Sequence, residues 1–378
     1  MVATYTVARL PRITHAPGAV DRLVELAAPH ARGRPVLLVA DPGLRAVGSI
    51  ARADAALRSA GLEVVPFDDL KSDPTVAQTD AAADLARRCG TAVVVAMGGG
   101  SALDLGKAVA AIASETASAA DYALCAQPLP PRPLAKICVP TTAGTGSETT
   151  RTAVLTDAAG TKVWLWGDEM KADEVVLDPQ LSVSLPPQLT AATGIDALVH
   201  AIEACTNRNA FHANDVFCHA AITLVARWLR RAVAEPDDLD ARSAMLLAAA
   251  YAGVGIDNAG TALAHNIGHA LGSLTPIHHG RAVGIAMLAT LDWCCEADDG
   301  RCAAAARAFG GDAPLPQAFA DLAAGVGLDR SLPAGISAER LAAQMARPEN
   351  AAMRQSNRRE IRDSDLLPLA RRVVGGGA

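Results

Sequence analysis

The chain has 378 residues, of which 51% are hydrophobic and 20% are charged, a composition that permits large buried cores and excludes a disordered chain. Its length is sufficient for two domains. The net charge of −6 and the 3% share of aromatic residues argue against a nucleic-acid-binding protein, which uses basic surfaces and aromatic stacking, and against a partner in an anionic membrane.

Signals for export or membrane insertion are not recognised in the sequence. The first eighteen residues lack the apolar core of a signal peptide. The longest apolar run, 244–256, has about 13 residues, whereas a bilayer span needs about 20. Eight cysteines without a CxxC pair fit reduced thiols, so we expect a cytoplasmic protein.

The first half of the chain alternates apolar, β-branched runs with helical patterns, which is typical of a parallel sheet covered by helices. Strands are predicted at 36–40, 62–67, 92–97 and 137–139, and helices at 50–60, 76–89 and after Ser101. A hairpin with a turn at Gly160 is predicted within 154–178. Downstream the pattern is helical, so we predict an α/β domain at 1–185 and an all-helical domain at 186–378.

A glycine-rich segment, GGGSALDLGK at 98–107, joins a predicted strand to a predicted helix. Ser101 as N-cap and Asp104 three residues later predict a capping box at the helix start. Glycines and free N–H groups at a helix start suit a pyrophosphate. The alternative is a tight structural turn, because the segment matches neither common nucleotide-binding motif.

Two further strand ends offer polar groups to a nucleotide. The loop after the strand at 137–139 carries the hydroxyls of Thr141, Thr142 and Thr145, which suit a phosphate, a ribose or a nicotinamide amide. Asp41 follows the strand at 36–40, where an acidic residue commonly binds a ribose 2′-OH and repels a 2′-phosphate. The alternatives are a polar connection and an ordinary Asp-Pro-Gly turn.

Four of the nine histidines lie in the segment ALAHNIGHALGSLTPIHHG at 262–280. His265 and His269 are spaced to share one face of a helix predicted over 262–271. Gly272 and Pro276 predict the end of that helix, so His278 and His279 follow a turn that can bring one of them back.

A second polar pair, Asp196 and His200, is also spaced i, i+4 and is surrounded by apolar residues. Burying these groups is costly unless they are paired or bind a ligand. A simple Asp–His hydrogen bond is the alternative. One aspartate with up to three histidines suits a divalent cation such as Fe²⁺ or Zn²⁺, and the ligand types do not decide between the two metals.

Four motifs together resemble the iron-containing (group III) alcohol dehydrogenase family. They are GGGSALDLGK, PTTAGTGSE, LDPQL with LPPQLTAATGIDALVHAIEA, and HNIGHALG with HHG. The resemblance extends over nearly the whole chain in the family's order. It implies an α/β, Rossmann-like dinucleotide-binding domain followed by an all-α metal-binding domain, an active site in the cleft between them, and a homodimer.

The resemblance also assigns roles to individual residues. It implies the metal ligands Asp196, His200, His265 and His279, the last in preference to His278 because it directly precedes Gly280. It places His269 near the reacting carbon and the nicotinamide. It implies these cofactor-binding residues: Asp41, Gly98, Gly99, Gly100, Ser101, Asp104, Thr141, Thr142, Thr145 and Lys162.

The predicted function is therefore hydride transfer between NAD(H) and a small alcohol or aldehyde, assisted by a divalent metal acting as a Lewis acid. Asp41 predicts a preference for NAD(H) over NADP(H), and Arg281, beside the expected ligand His279, suggests an anionic substrate as one alternative. Two other functions compete with this one: an NAD- and metal-dependent lyase of the dehydroquinate synthase type, and a metal- or nucleotide-binding protein without turnover.

Overall fold

The fold comes from a computed structural model that describes residues 5–375. The described chain divides into two compact units. The α/β unit contains residues 10–142 and 147–184, and the helical unit contains residues 143–146 and those from 185 onward, together with the described residues up to Arg9.

Eight strands are described, all in the first half of the chain. Six form one sheet in the order β1-β8-β5-β4-β2-β3, with every neighbouring pair parallel. They are β1 Arg12–His15, β2 Val36–Ala40, β3 Val64–Phe67, β4 Val93–Gly98, β5 Ala135–Pro140 and β8 Glu174–Leu177; β6 Thr152–Thr156 and β7 Lys162–Trp166 form an antiparallel hairpin. The predicted strands and hairpin are confirmed, whereas β1 and β8 were not predicted.

The sheet has a hydrophobic core on each face because side chains alternate along a strand. In β2, Leu37 and Val39 pack with the alanine-rich faces of α3 and α4. Val36 and Leu38 pack with α1 and α2 on the opposite face. The helices of this unit are α1 Leu23–Ala31, α2 Ser49–Arg58, α3 Val76–Arg88, α4 Gly100–Ile112 and the short α5 Ala119–Tyr122. Both faces are covered, which explains the uninterrupted apolar sequence of β2.

Residues 185–375 contain helices and no described strand, so the predicted change from an α/β to an all-helical part is confirmed. The helices are α6 Pro187–Thr206, α7 His212–Ala234, α8 Leu239–Ala259, α9 Leu263–Leu274, α10 His279–Cys295, α11 Arg301–Ala308, α12 Leu315–Gly325, α13 Ala338–Met345, α14 Ala351–Ser356 and α15 Asp363–Gly375. Gly272 does not end α9, contrary to the prediction. The helix continues to Leu274 and ends where Thr275 becomes extended ahead of Pro276.

Helix α8 is long and apolar enough to cross a bilayer, with a mean hydropathy of 1.2 over its most apolar stretch. However, 61% of that stretch is buried inside the protein, and α8 packs against α6 and α7. Near its start, the buried Arg242 donates to Thr190 Oγ1 at 2.9 Å and to the carbonyl of Pro236 at 2.8 Å. These contacts are those of a core helix.

The buried carboxylate of Asp178 joins the end of β8 to the segment that follows β1. Its Oδ1 accepts hydrogen bonds from the backbone N–H groups of Gly18 and Gln180, both at 3.0 Å, and its Oδ2 accepts one from Val20 at 3.1 Å. Three N–H groups therefore depend on one side chain, because the turn after β8 and the segment after β1 offer them no other described acceptor.

Replacing Asp178 with Asn should destabilise the α/β unit, because the amide places a donor opposite one of these N–H groups. We expect the free energy of unfolding to fall by about 2–3 kcal/mol. Asp54→Asn is the matched control, since Asp54 forms only an exposed pair with Arg58 on α2, and it should cost less than about 0.5 kcal/mol. Urea unfolding measures both, and equal losses would contradict the anchoring role.

Candidate metal and cofactor sites

Four side chains from three helices of the helical unit converge on one point. Asp196 and His200 lie on α6, His265 on α9, and His279 is the first residue of α10. One potential ligand atom of each lies within 4.8 Å of the others. The Nε2 atoms of His200, His265 and His279 are 3.8, 3.9 and 3.7 Å from Asp196 Oδ1.

The local sequence explains this convergence. Asp196 and His200 are one turn apart on α6 and so point to the same side. Helix α10 begins next to Asp196 because residue 280 is a glycine. A Cβ added at Gly280 would lie 2.2 Å from the carbonyl oxygen of Ala192 and 3.1 Å from Asp196 Cβ, so a larger residue would push His279 away.

The four residues fit a divalent cation. Their N···O separations are too long for hydrogen bonds, but ligand atoms about 2.1 Å from a shared ion lie up to about 4 Å apart. Among the residues that the structure describes, neither Asp196 Oδ1 nor His265 Nε2 has a hydrogen-bond partner, although both atoms are buried. Burial raises the pKa of Asp196 and lowers that of His265 well below its usual range. A bound cation would satisfy both atoms.

Glu203 is a residue of this site that the sequence reasoning missed. Its Oε2 lies 2.6 Å from His265 Nδ1, and its two oxygens accept the backbone N–H groups of Ala262 and Ala264 at 2.7 and 2.6 Å. A carboxylate on Nδ1 fixes the tautomer with its lone pair on Nε2, the atom that faces Asp196. The available signal was its position on α6, two turns after Asp196 in an apolar stretch.

The two remaining histidines of the segment lie beside the cluster. The ring of His269, one turn after His265 on α9, has its centroid 5.4 Å from that of His279. His278 immediately precedes α10, and its interaction with Asp196 opposes the rise in the pKa of that carboxyl that burial causes. The side chain of His279 is 41% exposed, whereas those of Asp196, His200 and His265 are 6% exposed or less. The cluster is therefore accessible on the side of His279 and His269.

In the α/β unit, Asp41 and the glycines at 98–100, which are among the predicted cofactor residues, lie at the carboxyl ends of β2 and β4. The chain runs from β2 outward to β3 and then returns to the other side of β2 as β4, which creates the crevice where parallel sheets bind ligands. Asp41 directly follows β2 and donates its N–H to the carbonyl of Met97 at 3.0 Å. Gly98, with φ +150°, lies so close that an added Cβ would be 3.0 Å from Asp41 Cβ.

The predicted capping box at Ser101 and Asp104 is wrong. Helix α4 begins at Gly100 with Gly99 as N-cap, and no side chain caps it. Ser101 Oγ accepts the N–H of Asp73 at 3.2 Å, and Asp73 pairs with Lys162. The carboxylate of Asp104 instead accepts the hydroxyl of Ser147 and, at 2.9 Å, the N–H of Val154. The side chains of Ser101 and Asp104 therefore bond to residues distant in the sequence instead of capping α4.

The loop after β5 is held by a buried lysine that the prediction did not include. The ammonium of Lys107 on α4 is fully buried and donates to the carbonyl of Ser147 at 2.7 Å and to Thr150 Oγ1 at 3.1 Å. At the start of the loop, Thr141 donates its N–H to Gly98 at 2.9 Å, and Thr142 Oγ1 lies beside Gly99. Thr145 falls in the segment 143–146, which groups with the helical unit.

Arg281 is engaged by a neighbouring loop. Its guanidinium donates to the carbonyl of Asp329 at 3.0 Å and to Ser331, and it lies 3.2 Å from the Asp329 carboxylate. An anionic substrate would have to displace Asp329.

Comparisons with known proteins agree with this geometry. The model of the iron-containing alcohol dehydrogenases matches residues 11–179, and that of the C-terminal part of the same family matches residues 190–374. The long-chain-alcohol dehydrogenase 1 of Geobacillus thermodenitrificans is 40% identical over 286 residues, which are 73% of this chain and 71% of that one. The choline dehydrogenase of Bacillus subtilis is 37% identical over 73% of this chain and 69% of its own.

Solved structures give the same result. A 1,3-propanediol oxidoreductase superposes with a TM-score of 0.90 at 29% identity and covers 98% of this chain and 100% of its own. The sulfoacetaldehyde reductase of Bifidobacterium kashiwanohense, solved with NAD⁺, has a TM-score of 0.90 at 29% identity and covers 98% and 99% of the two chains.

The chain therefore belongs to the iron-containing alcohol dehydrogenase family. The predicted fold class, a parallel α/β domain followed by a helical domain, is confirmed. The predicted enzyme class is also confirmed: the protein is an oxidoreductase of the alcohol dehydrogenase type, with a nicotinamide cofactor and a divalent metal. The matches do not favour a lyase of the dehydroquinate synthase type.

Proposed function

We propose that Asp196, His200, His265 and His279 hold the divalent metal of an NAD(H)-linked enzyme that interconverts a small alcohol and its aldehyde. The observation that carries this proposal is the pair of buried atoms, Asp196 Oδ1 and His265 Nε2, that have no described hydrogen-bond partner although they face one another at 3.9 Å. Three imidazoles and one carboxylate fit Fe²⁺ and also Zn²⁺.

When bound, the metal supplies Lewis-acid polarisation of the substrate's carbon–oxygen bond, and the nicotinamide supplies or accepts the hydride. Glu203 holds His265 in the tautomer that offers Nε2 to the metal. His269 lies on the exposed side of the cluster, where its ring can hold or move the proton of the substrate hydroxyl. The apolar residues around α6 keep water away from Asp196 and His200.

We propose that the cofactor binds along the ends of β2 and β4 in the α/β unit. Gly98, Gly99 and Gly100 allow the pyrophosphate to approach the start of α4. We assign Asp41 to the ribose 2′-OH. Further polar contacts are assigned to Thr141, Thr142, Thr145, Ser101 and Lys162. The carboxylate of Asp104 already accepts hydrogen bonds from Ser147 and Val154. We therefore propose that Asp104 positions the loop after β5.

The relatives' names span long-chain alcohols, choline, 1,3-propanediol and sulfoacetaldehyde, so they do not single out one substrate. We propose a substrate without a negative charge, because Arg281 is already bonded to Asp329 and Ser331. We also propose that the enzyme is cytoplasmic, since none of the eight cysteines forms a disulfide. A homodimer is proposed from the family resemblance alone.

Replacing either of two neighbouring histidines on α9 should separate metal binding from proton transfer. We expect His265→Ala to lose both bound metal and turnover. His269→Ala should keep the metal and lose turnover by about 10²-fold or more. Metal analysis and an NAD(H)-linked assay with short primary alcohols measure both effects. A metal-free His265→Ala that still turns over would contradict the proposed mechanism.

Removing the charge of Glu203 should weaken the metal site without removing a ligand. In Glu203→Gln an amide donor must face either a backbone N–H or His265 Nδ1, which disfavours the metal-binding tautomer. We expect metal affinity, measured by competition with a chelator, to fall about 10–100-fold. Glu339→Gln, at an exposed position on α13, should leave it unchanged, and an unchanged affinity in Glu203→Gln would refute the orienting role.

Removing the charge of Asp41 should relax the choice of cofactor. In the wild type, Asp41 Oδ1 accepts the N–H of Gly43 at 2.8 Å. Asp41→Asn keeps an oxygen for this bond but no longer repels a 2′-phosphate. We expect the wild type to prefer NAD(H), and the ratio of kcat/KM for NAD⁺ to that for NADP⁺ to fall at least about tenfold in the variant, which corresponds to about 1.4 kcal/mol. A wild type that prefers NADP⁺ would contradict this assignment.

A further inference from the structure

The loop between β3 and α3 joins two of the residues that we assign to the cofactor. Asp73 in this loop donates its backbone N–H to Ser101 Oγ, near the start of α4, at 3.2 Å. Its carboxylate forms an ion pair with the ammonium of Lys162, the first residue of β7. Ser101 and Lys162 are far apart in the chain, so one residue of a third segment links them.

The backbone around Asp73 fixes its position. Asp73 has a φ of +60°, in the left-handed region that aspartate and asparagine enter more readily than most residues. The carbonyl of the next residue, Pro74, accepts the N–H of Thr156 at 2.8 Å, and Thr156 lies directly opposite Lys162 in the hairpin. Thr75 then caps α3 with its hydroxyl. The bond to the hairpin therefore holds the Asp73 carboxylate beside Lys162.

Lys162 is the only cation among the residues that we assign to the cofactor. The other charged residues predicted for that site, Asp41 and Asp104, are negative. A pyrophosphate is negatively charged and is stabilised by a cation close to a helix N-terminus. Within the part of the chain that the structure describes, Asp73 is the only ionic partner of Lys162, whose side chain is 23% exposed. An incoming cofactor therefore meets an ammonium that a carboxylate already neutralises.

We propose that Asp73 competes with the cofactor's pyrophosphate for Lys162, and that it thereby lowers the affinity for NAD(H) and speeds cofactor release. This inference rests on the proposed placement of the cofactor at the ends of β2 and β4. In the free enzyme, the Asp73 carboxylate holds the ammonium. When the cofactor binds, phosphate oxygens take the ammonium, and the Asp73 side chain, which is 64% exposed, turns towards water.

Two effects of the Asp73 carboxylate oppose cofactor binding. Its ion pair with Lys162 has to break before the ammonium can bind phosphate, and the carboxylate itself repels a phosphate held by the same ammonium. Because both side chains are partly exposed, water and salt weaken each effect. We therefore expect Asp73 to change the affinity for the cofactor by about 3–10-fold and not to prevent binding.

The test measures the affinity of the Zn²⁺-loaded enzyme for NADH by fluorescence titration. Asp73→Asn removes the charge but keeps the backbone N–H for Ser101, and asparagine tolerates the same φ. We expect NADH to bind about 3–10-fold more tightly, with a matching decrease in the dissociation rate measured by stopped flow. A merely structural role for Asp73 predicts the opposite, since a loosened loop would weaken NADH binding.

A second substitution, Lys162→Met, shows whether the gain in affinity passes through the ammonium. In the Asp73→Asn background, Lys162→Met should weaken NADH binding about tenfold, because a free ammonium is lost. In the wild-type background it should weaken binding less, because the lost ammonium was already paired. It follows that Asp73→Asn should improve the affinity by less than about twofold in a chain that carries Lys162→Met.

Asp54→Asn is the matched control, because it removes a negative charge from an exposed pair with Arg58 in the same unit, and it should leave the affinity for NADH unchanged. Unchanged or weaker NADH binding in Asp73→Asn, or an equal gain in the presence of Lys162→Met, would overturn this inference while Lys162 still contributes to binding. If Lys162→Met leaves the affinity unchanged in both backgrounds, the proposed placement of the cofactor beside Lys162 is wrong as well.

Discussion

The helical unit depends on one electrostatic constraint, the burial of the Asp196 carboxylate among three imidazole rings. A buried carboxylate without a hydrogen bond on one oxygen carries a large desolvation cost. Burial lowers the pKa of His265, one of the rings that face this oxygen, and Glu203 occupies its Nδ1. A cation between these groups would satisfy Asp196 Oδ1 and His265 Nε2 together, and α6, α9 and α10 supply the four side chains around this point.

In the α/β unit, charged side chains hold loops in place. The loops that we propose to bind the nucleotide would present backbone N–H groups to a ligand, so bonds within their own backbone cannot hold them. Side chains hold them instead: Lys107 and Asp104 bind the loop after β5. Asp178 holds the segment after β1, which carries none of the proposed cofactor contacts, in the same way. The buried charges of Lys107 and Asp178 are each paired with several backbone groups, which offsets the cost of burial.

Much of the fold was predictable because it is recorded in local patterns. Strands such as β2 are continuous apolar runs, and the i, i+4 pairs Asp196–His200 and His265–His269 show which side chains share a helix face. What could not be predicted depends on tertiary contacts. Strand β1 has only four residues, and its first and last residues are polar. The hydroxyl of Ser101 accepts a distant N–H group instead of capping α4. Glu203 meets its partner, His265, only when α9 packs onto α6.

Ligands that lie on three helices also have a topological consequence. Asp196 and His279 are far apart in the chain, and the segment between them includes α7 and α8. An ion shared by these residues closes that segment into a loop, as a disulfide would, and it does so only in the native state. A metal held by these proposed ligands would therefore be a structural cross-link as well as a reagent. Each tenfold excess of free metal over its dissociation constant adds about 1.4 kcal/mol to the stability of the helical unit.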